Sequence, residues 1–151
     1  MREIVKYSGC FVCGDKNPNG LKVHFYADGD EAVAECVTDA QFQGYKNIFH
    51  GGVVSALLDE IMAKAILAQE IYPLTAEMTV RFKRASPIGQ RLLLRGRITS
   101  QRGRMFETAG EVADADGAVF ATATGKYVEA SGAMREVLLA SLERHSSPAE
   151  S

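Results

Sequence analysis

Asp59 is a candidate catalytic carboxylate because of the residues around it. It lies in an apolar stretch, and no cation occurs three or four residues to either side. Its neighbour Glu60 is followed four residues later by Lys64, which predicts a surface ion pair. A carboxylate on the enclosed side of a helix is costly unless it is hydrogen-bonded, and such groups are frequent at functional sites. The alternative is an exposed Asp on the solvated stripe of the helix.

The segment Phe49-His50-Gly51-Gly52 leads into the same helix and is a candidate site for a negatively charged oxygen. It contains no Ser, Thr, Asp or Asn, so we expect the first backbone N–H groups to lack a side-chain partner. Two glycines allow a ligand to approach the backbone, and the helix dipole stabilises an oxyanion or a polarised carbonyl. The alternatives are a flexible turn with water at the helix end and a His50 that only packs.

Residues 81–104 form a strongly basic stretch of the sequence. With a total charge of −2 and eight cations here without any Asp or Glu, the rest of the chain carries −10. This indicates a polyanionic partner, although scattered solvated charges are an alternative. Nucleic acid is not expected, since aromatic residues other than Phe82 and the spacings of DNA-binding motifs are missing. The basic residues are Arg81, Lys83, Arg84, Arg91, Arg95, Arg97, Arg102 and Arg104.

Cys10 and Cys13 have the Cys-x-x-Cys spacing that occurs in zinc and redox sites. Zinc needs two further ligands, and only His24 and Cys36 are nearby, without a second paired motif. A thioredoxin-like site is followed directly by a helix, whereas turn-forming residues follow here. We therefore expect no metal and free thiols, as an odd number of cysteines in a reducing compartment suggests.

The chain as a whole has the composition of one compact domain. Its 151 residues are 46% apolar and 24% charged, which excludes disordered and coiled-coil classes. Neither a signal peptide nor an apolar run of membrane-spanning length is found, so we expect a cytoplasmic protein without a membrane partner. We divide it into an irregular lead-in (1–20), a main domain (21–130), a C-terminal helix (131–145) and a disordered tail (146–151).

The main domain must position Asp59 and the glycines, and its elements can be read from hydrophobic periodicity. A hairpin is predicted over 21–27 and 31–37, and one long enclosed helix over 51–70. Alternation predicts a strand after Pro73 in which Thr75 shares a face with Glu77 and Arg81. Further strands are predicted over 91–100, 104–114 and 118–129, and the C-terminal helix is predicted to dock through Met134, Val137, Leu138 and Leu142.

The segments Phe42-Gln43-Gly44-Tyr45 and His50-Gly51-Gly52, followed by Asp59, resemble the active-site region of hotdog-fold acyl-CoA thioesterases. The similarity is to the PaaI-like and thioesterase-superfamily-member type and spans about residues 8–130. It includes the lead-in Cys10–Leu21 and the stretch 81–89. The resemblance implies an α+β hotdog fold, in which an antiparallel sheet of about five to six strands wraps a long central helix.

The resemblance also implies roles for individual residues. Asp59 takes the position of the general base or nucleophile, and the Gly51 N–H takes the oxyanion position with His50 beside it. Thr75 takes the position of a Ser or Thr that orients water, usually contributed across a dimer interface. Gly44 occupies a position where relatives carry Asn or Gln, so Gln43 or Asn47 is the candidate for that role.

The function expected from these residues is hydrolysis of an acyl-CoA thioester to a carboxylic acid and coenzyme A, without a cofactor. Gly52, Asn47, Arg81, Lys83, Arg84, Arg102 and Arg104 are the candidate substrate-binding residues. One helix cannot cover both faces of a sheet, so we expect a homodimer or a dimer of dimers. The alternatives are a hotdog hydratase or dehydratase acting on acyl thioesters, and a non-catalytic acyl-CoA sensor.

Overall fold

One antiparallel sheet wraps a long helix, as expected for the α+β class. The computed structural model describes residues 1–142. Within this range the sheet has seven strands in the order β1-β2-β3-β5-β6-β7-β4. The strands are β1 (Arg2–Glu3), β2 (Phe25–Asp28), β3 (Glu31–Val37), β4 (Pro73–Phe82), β5 (Arg91–Arg102), β6 (Met105–Ala113) and β7 (Val119–Glu129), and the helices are α1 (Gly51–Leu67) and α2 (Gly132–Ser141).

The count of five to six strands was too low, and the difference arises at the N-terminus. β1 is only two residues long and pairs with β2, and its length is too short for alternation to reveal it. The first long strand also begins later than predicted, at Phe25 instead of residue 21. Residues 21–24 pair instead with the lead-in, since the N–H of Val23 donates to the Val12 carbonyl at 2.9 Å. The lead-in is thereby fixed to the domain.

Helix α1 forms the centre of the core. Every residue from Val53 to Leu67 is buried or half-buried, which confirms the enclosed helix. It ends three residues earlier than predicted, and the chain leaves it through Glu70, whose φ is 61°. Its fully buried side chains, including Leu58, Ile61 and Met62, pack on the sheet face formed by the inward residues of the central strands.

Two glycines let α1 pack directly against the sheet. Gly96 of β5 and Gly110 of β6 are register partners beneath the helix. A Cβ atom at Gly96 would lie 2.4 Å from the backbone oxygen of Ile61, a separation that the backbone cannot accommodate. A Cβ at Gly110 would meet Met62 at 3.0 Å. The depth of α1 in the sheet is therefore set by the absence of side chains at these positions.

Strand β4 lies at one edge of the sheet and carries an irregularity. It pairs with β7 on one side, and within residues 1–142 no strand pairs with its other side. The register shifts between Thr75 and Glu77. This bulge turns Thr75 to the helix side, so the prediction that it shares a face with Glu77 and Arg81 was wrong. A bulge inserts one residue and reverses the alternation on one side of it.

Helix α2 is present, but it does not dock as predicted. Met134 is 47% and Val137 61% exposed, and none of its residues is buried. Only the other two residues of the predicted stripe, Leu138 and Leu142, are half-buried, and Arg135 stacks over the ring of Tyr72 at 5.4 Å. The predicted end of this helix at 143–145 and the tail at 146–151 lie outside the described residues. Neither described helix is long and apolar enough to cross a bilayer.

Candidate active site

The carboxylate of Asp59 is held by two hydroxyl groups. Its Oδ1 accepts hydrogen bonds of 2.8 Å from Thr75 Oγ1 and 2.8 Å from the Tyr127 hydroxyl. The Tyr127 oxygen also lies 3.0 Å from the backbone oxygen of Asp59. Asp59 is half-buried, and the structure shows no protein hydrogen bond to Oδ2 among residues 1–142. One carboxylate oxygen is thus fixed, and the other remains available to a water molecule or a substrate.

Thr75 reaches Asp59 because of the bulge in β4. The contact is made within one chain, whereas the resemblance implied a residue contributed across a dimer interface. The bulge provides the physical reason, since it directs this side chain toward α1 of its own chain. Thr75 itself is exposed to solvent.

Tyr127 is a site residue that the sequence analysis missed. It is fully buried on the inward face of β7, and 68 positions separate it from Asp59. Burial, together with the nearby carboxylate of Asp59, raises the pKa of the Tyr127 hydroxyl well above its ordinary value of 10. Tyr127 therefore stays a proton donor to Asp59. The only signal in the sequence is that it occupies an inward position of the alternating strand.

His50 caps the N-terminus of α1 with its side chain. Its Nδ1 accepts a 2.8 Å hydrogen bond from the Gly52 N–H, so the expectation that the first N–H groups lack a side-chain partner was wrong for Gly52. Histidine is not among the common capping residues, which is why the sequence did not indicate it. Because Nδ1 accepts, Nε2 is the ring nitrogen that can donate. The Gly51 N–H donates no hydrogen bond within the described range and is exposed.

A cleft of about 380 Å³ opens beside Gly51. Its walls are mainly apolar and include Phe49, Phe82 and Phe120. Lys83 and Arg84 also line it. The arrangement combines one free backbone donor, an apolar surface and two cations, which suits an elongated ligand with an anionic end.

The other predicted binding residues are spread over the molecule. Arg104 donates to the Glu129 carbonyl at 2.8 Å and to Ser131, far along β7 from the cleft. Arg81 lies with Arg95 and Arg97 in a groove on the sheet face opposite α1, and Arg102 is exposed at the end of β5.

Several cations of the basic stretch pair within the chain instead of remaining free. The pairs are Arg84 with Asp114 at 3.0 Å, Arg91 with Glu35 at 2.7 Å and Arg95 with Glu31 at 2.7 Å.

The loop before α1 contains Gly44 and its candidate substitutes. The Gln43 side-chain oxygen accepts from the Asn47 N–H at 3.0 Å, and the Asn47 carbonyl accepts from the N–H of Ile88. Asn47 adopts a φ of 65° and is exposed. Gln43 thus supports the loop in the structure, and Gly44 packs against His50.

Gly51 and Asp59 are too far apart to contact one thioester within a single chain. Eight residues of α-helix span about 12 Å along the axis. Phe82 lies next to Gly51, at 3.6 Å from a Cβ built there, and Thr75 lies next to Asp59. The two halves of the candidate site therefore sit at opposite ends of β4.

Glu60 has quite different surroundings from those predicted. The pair with Lys64 is not a surface ion pair, because Lys64 is only 2% exposed and donates to the Val5 carbonyl at 2.6 Å. The Glu60 carboxylate lies 3.9 Å from the Lys64 Nζ. Burial, and then the charge of Cys10, raises the pKa of Glu60 to about 7.

Comparisons with known proteins show which family and fold the chain has. The family model "Thioesterase superfamily" matches residues 46–121, half of the chain, including Gly51, Asp59 and Thr75. No curated protein sequence matches the chain significantly.

Solved structures share the fold. A thioesterase superfamily protein superposes with a TM-score of 0.75 at 28% identity over 79% of this chain, and this chain spans 62% of that protein. The PaaI protein of the E. coli phenylacetic acid degradation operon gives a TM-score of 0.69 at 22% identity, covering 74% of this chain and 82% of its own.

A hypothetical thioesterase of Streptococcus pneumoniae, solved with coenzyme A, gives a TM-score of 0.67 at 16% identity, covering 72% of this chain and 89% of its own. The predicted hotdog fold is thus confirmed. With the match over residues 46–121, the chain belongs to the thioesterase superfamily.

Proposed function

We propose that the protein is an acyl-CoA thioesterase that releases a free carboxylic acid and coenzyme A without a cofactor. The observation that carries the proposal is the Asp59 carboxylate, fixed by Thr75 and Tyr127 with one oxygen free, in a chain of the thioesterase superfamily. Structural neighbours solved with coenzyme A and with acetyl CoA support the substrate class.

Asp59 supplies the reactive oxygen. Either its free oxygen takes a proton from water, which attacks the thioester, or it attacks directly and forms an acyl anhydride that water then hydrolyses. Both routes need a carboxylate held in one orientation, which the two hydroxyl donors provide. A simple thiol has a pKa near 8.5, so the thiolate leaving group departs at neutral pH without a strong acid to protonate it.

Gly51 supplies the stabilisation of the developing negative charge. Its free N–H points out of the positive end of α1, where an oxyanion is favoured. The Gly52 N–H already donates to His50 Nδ1 and is therefore not available to the substrate, whereas the His50 Nε2–H remains for it. The cleft beside Gly51 offers apolar walls for the substrate, and Lys83 offers a charge for phosphate, whereas Arg84 in the same wall is already paired with Asp114.

Two copies complete the site when β4 pairs antiparallel with β4 of a second copy. Such pairing about a centre between Met78 and Thr79 aligns Thr75 of one chain with Phe82 of the other. Because Thr75 contacts Asp59 and Phe82 lies beside Gly51, the carboxylate of one chain then faces the N–H of the other. The unpaired edge of β4 and the exposed Leu74 and Phe82 support this arrangement. The proposal is therefore a homodimer, alone or paired into a tetramer.

The direct test is thiol release from a panel of acyl-CoA substrates by the wild type, Gly51→Pro and Gly51→Ala. Pro removes the N–H but fits the first helical position, and the extended His50 (φ −64°, ψ 129°) suits a residue before Pro. We expect Gly51→Pro to lower kcat about 100-fold, and Gly51→Ala, which keeps the N–H, to remain within a few fold. The absence of release from every substrate would favour the dehydratase or sensor.

A complementation experiment tests the shared site. Inactive Gly51→Pro and inactive Asp59→Asn are mixed, dissociated and reassociated. A mixed dimer contains one site with Gly51 of one chain and Asp59 of the other, so we expect about a quarter of wild-type activity to return after random exchange. No recovery, with exchange verified by mass spectrometry, would show that each chain builds its own site.

A further inference from the structure

Cys10, Cys13 and Glu60 form a second cluster of reactive side chains that the proposed thioesterase chemistry does not use. Their two sulfur atoms and a Glu60 carboxylate oxygen all lie within 4.8 Å of one another. The Cys10 sulfur is 3.9 Å from Glu60 Oε1, and the Cys13 sulfur lies within 4.8 Å of the same carboxylate group. All three cysteines are unbridged in the structure.

The two thiols differ in accessibility. Cys10 is partly exposed, whereas Cys13 is only 3% exposed and belongs to the core. A tight turn joins them, closed by a 2.9 Å hydrogen bond from the Gly14 N–H to the Cys10 carbonyl. A Cβ at Gly14 would lie 2.2 Å from the Ser8 carbonyl oxygen, so the turn requires glycine. The fold thus presents one thiol to solvent and keeps its partner behind it.

The cluster also differentiates the two thiols electrostatically. The Cys13 N–H lies 3.3 Å from the Cys10 sulfur. Hydrogen bonds from the Cys13 thiol and from the backbone of Cys13 and Val12 lower the pKa of Cys10, and the Lys64 ammonium adds to the effect. The hydrogen bond with Cys10, burial and the Glu60 charge raise the pKa of Cys13. Backbone donors of a turn here do what a helix N-terminus does in other Cys-x-x-Cys sites.

We propose that Cys10 and Cys13 are a dithiol–disulfide exchange site for low-molecular-weight disulfides, with Cys10 attacking, Cys13 resolving and Glu60 accepting the Cys13 proton. The Cys10 thiolate attacks one sulfur of the disulfide, forms a mixed disulfide and releases one thiolate. Cys13 passes its proton to Glu60 and attacks the Cys10 sulfur, which releases the second thiolate. The small disulfide is reduced to two thiols, and the protein dithiol is oxidised to one disulfide.

The surroundings favour this chemistry over a metal site. Within residues 1–142 only three ligand groups converge, whereas a structural zinc takes four. The buried Lys64 ammonium lies 3.9 Å from the same carboxylate and is tethered to the Val5 carbonyl, so a metal ion would be placed beside a fixed positive charge. Proton transfer between Cys13 and Glu60 requires no fourth ligand.

The test is reaction of the reduced protein with glutathione disulfide, followed by intact mass spectrometry and thiol titration. We expect the wild type to lose two of its three thiols and to retain no glutathione. Cys13→Ser and Cys13→Ala should accumulate one bound glutathione, and Cys10→Ser should react at least about 10-fold more slowly. Cys36→Ser is the matched control, since Cys36 lies outside the cluster, and it should form the disulfide like the wild type.

Glu60→Gln separates proton acceptance from packing. We expect the mixed disulfide to form at close to the normal rate and to resolve about 10-fold more slowly at pH 7. The rate should recover as the pH rises toward 9, because hydroxide then replaces Glu60 as the base that takes the Cys13 proton. A purely structural Glu60 would give a defect that does not recover with pH.

Three results would overturn the proposal. The first is that all three thiols remain after treatment with excess glutathione disulfide. The second is that Cys13→Ser binds no glutathione. The third is that the protein retains one zinc ion per chain, bound by both cysteines, in the presence of a chelator. Thioester hydrolysis is assayed separately, so failure here leaves the proposed activity untouched, and the reverse also holds.

Discussion

Asp59 and Glu60 are adjacent in α1, yet they have opposite surroundings. Successive helical residues point about 100° apart. Asp59 meets two hydroxyl donors from β4 and β7 and keeps an oxygen available. Glu60 faces the lead-in, whose two thiols lie close to its carboxylate, and the buried Lys64 of α1 lies on its other side. The chemistry of each side chain therefore follows from the element it packs against and not from its place in the sequence.

The two carboxylates are thereby prepared for different tasks. Hydrogen-bond donors hold one oxygen of Asp59, the residue to which we assign attack or base catalysis in the proposed function. Glu60 has a pKa raised to about 7, mainly by burial, and can therefore exchange a proton near neutral pH. Mutations that replace one carboxylate at a time test this division.

Removing the charge of Asp59 should give the largest effect. Asp59→Asn keeps the size of the side chain but loses the base or nucleophile, so we expect kcat for thiol release to fall at least about 100-fold. Glu60→Gln is the matched control on the same helix, and we expect its kcat to stay within about 3-fold. An equal loss of kcat in both variants would contradict the assignment of different roles to Asp59 and Glu60.

The pH dependence of stability should show the next largest effect. The pKa of Glu60 is about 7 in the folded protein, whereas its ordinary value is 4.5. Because the folded state holds this proton more tightly, the free energy of unfolding falls by about 3 kcal/mol as the pH rises from 4.5 to 7. Glu60→Gln cannot ionise and should lack this decline. Urea unfolding at pH 5 and pH 8 measures it, and parallel pH profiles of variant and wild type would contradict the prediction.

Tyr127→Phe should have the smallest effect of the three. It keeps the ring in the core but removes the hydroxyl bound to Asp59, so we expect a loss of about 1 kcal/mol in unfolding free energy and about a 10-fold lower kcat. Tyr45→Phe, at an 85% exposed position, is the control and should change neither quantity. An unchanged kcat in Tyr127→Phe would mean that Thr75 alone orients the carboxylate.

Local patterns predicted the fold well because the elements are long and regular. The enclosed α1 and the strands after Pro73 follow from periodicity, and the missing counter-charge of Asp59 predicts it as a candidate site residue. Tyr127 could not be found, since its contact with Asp59 depends on how strands pair across 68 positions. The side of β4 that Thr75 occupies depends on a bulge that alternation cannot show.

The errors at Glu60 and in α2 have a common physical cause. The spacing of Glu60 and Lys64 predicts an ion pair, but not whether the lead-in covers it, as it does here through Val5. The stripe of Met134 and Val137 predicts an amphipathic helix, but not whether a surface is available to receive it. Periodicity specifies which face is apolar, and only tertiary structure decides what lies against that face.

Gly96 and Gly110 should tolerate substitution poorly. They determine the depth of α1, and Ile61, against which Gly96 lies, is only two residues beyond Asp59. A single added methyl group at Gly96 must lift the helix, and with it both carboxylates, from their partners. In a mutational survey these positions would therefore behave like active-site residues, although they lie outside the cleft beside Gly51 and do not contact the Asp59 carboxylate.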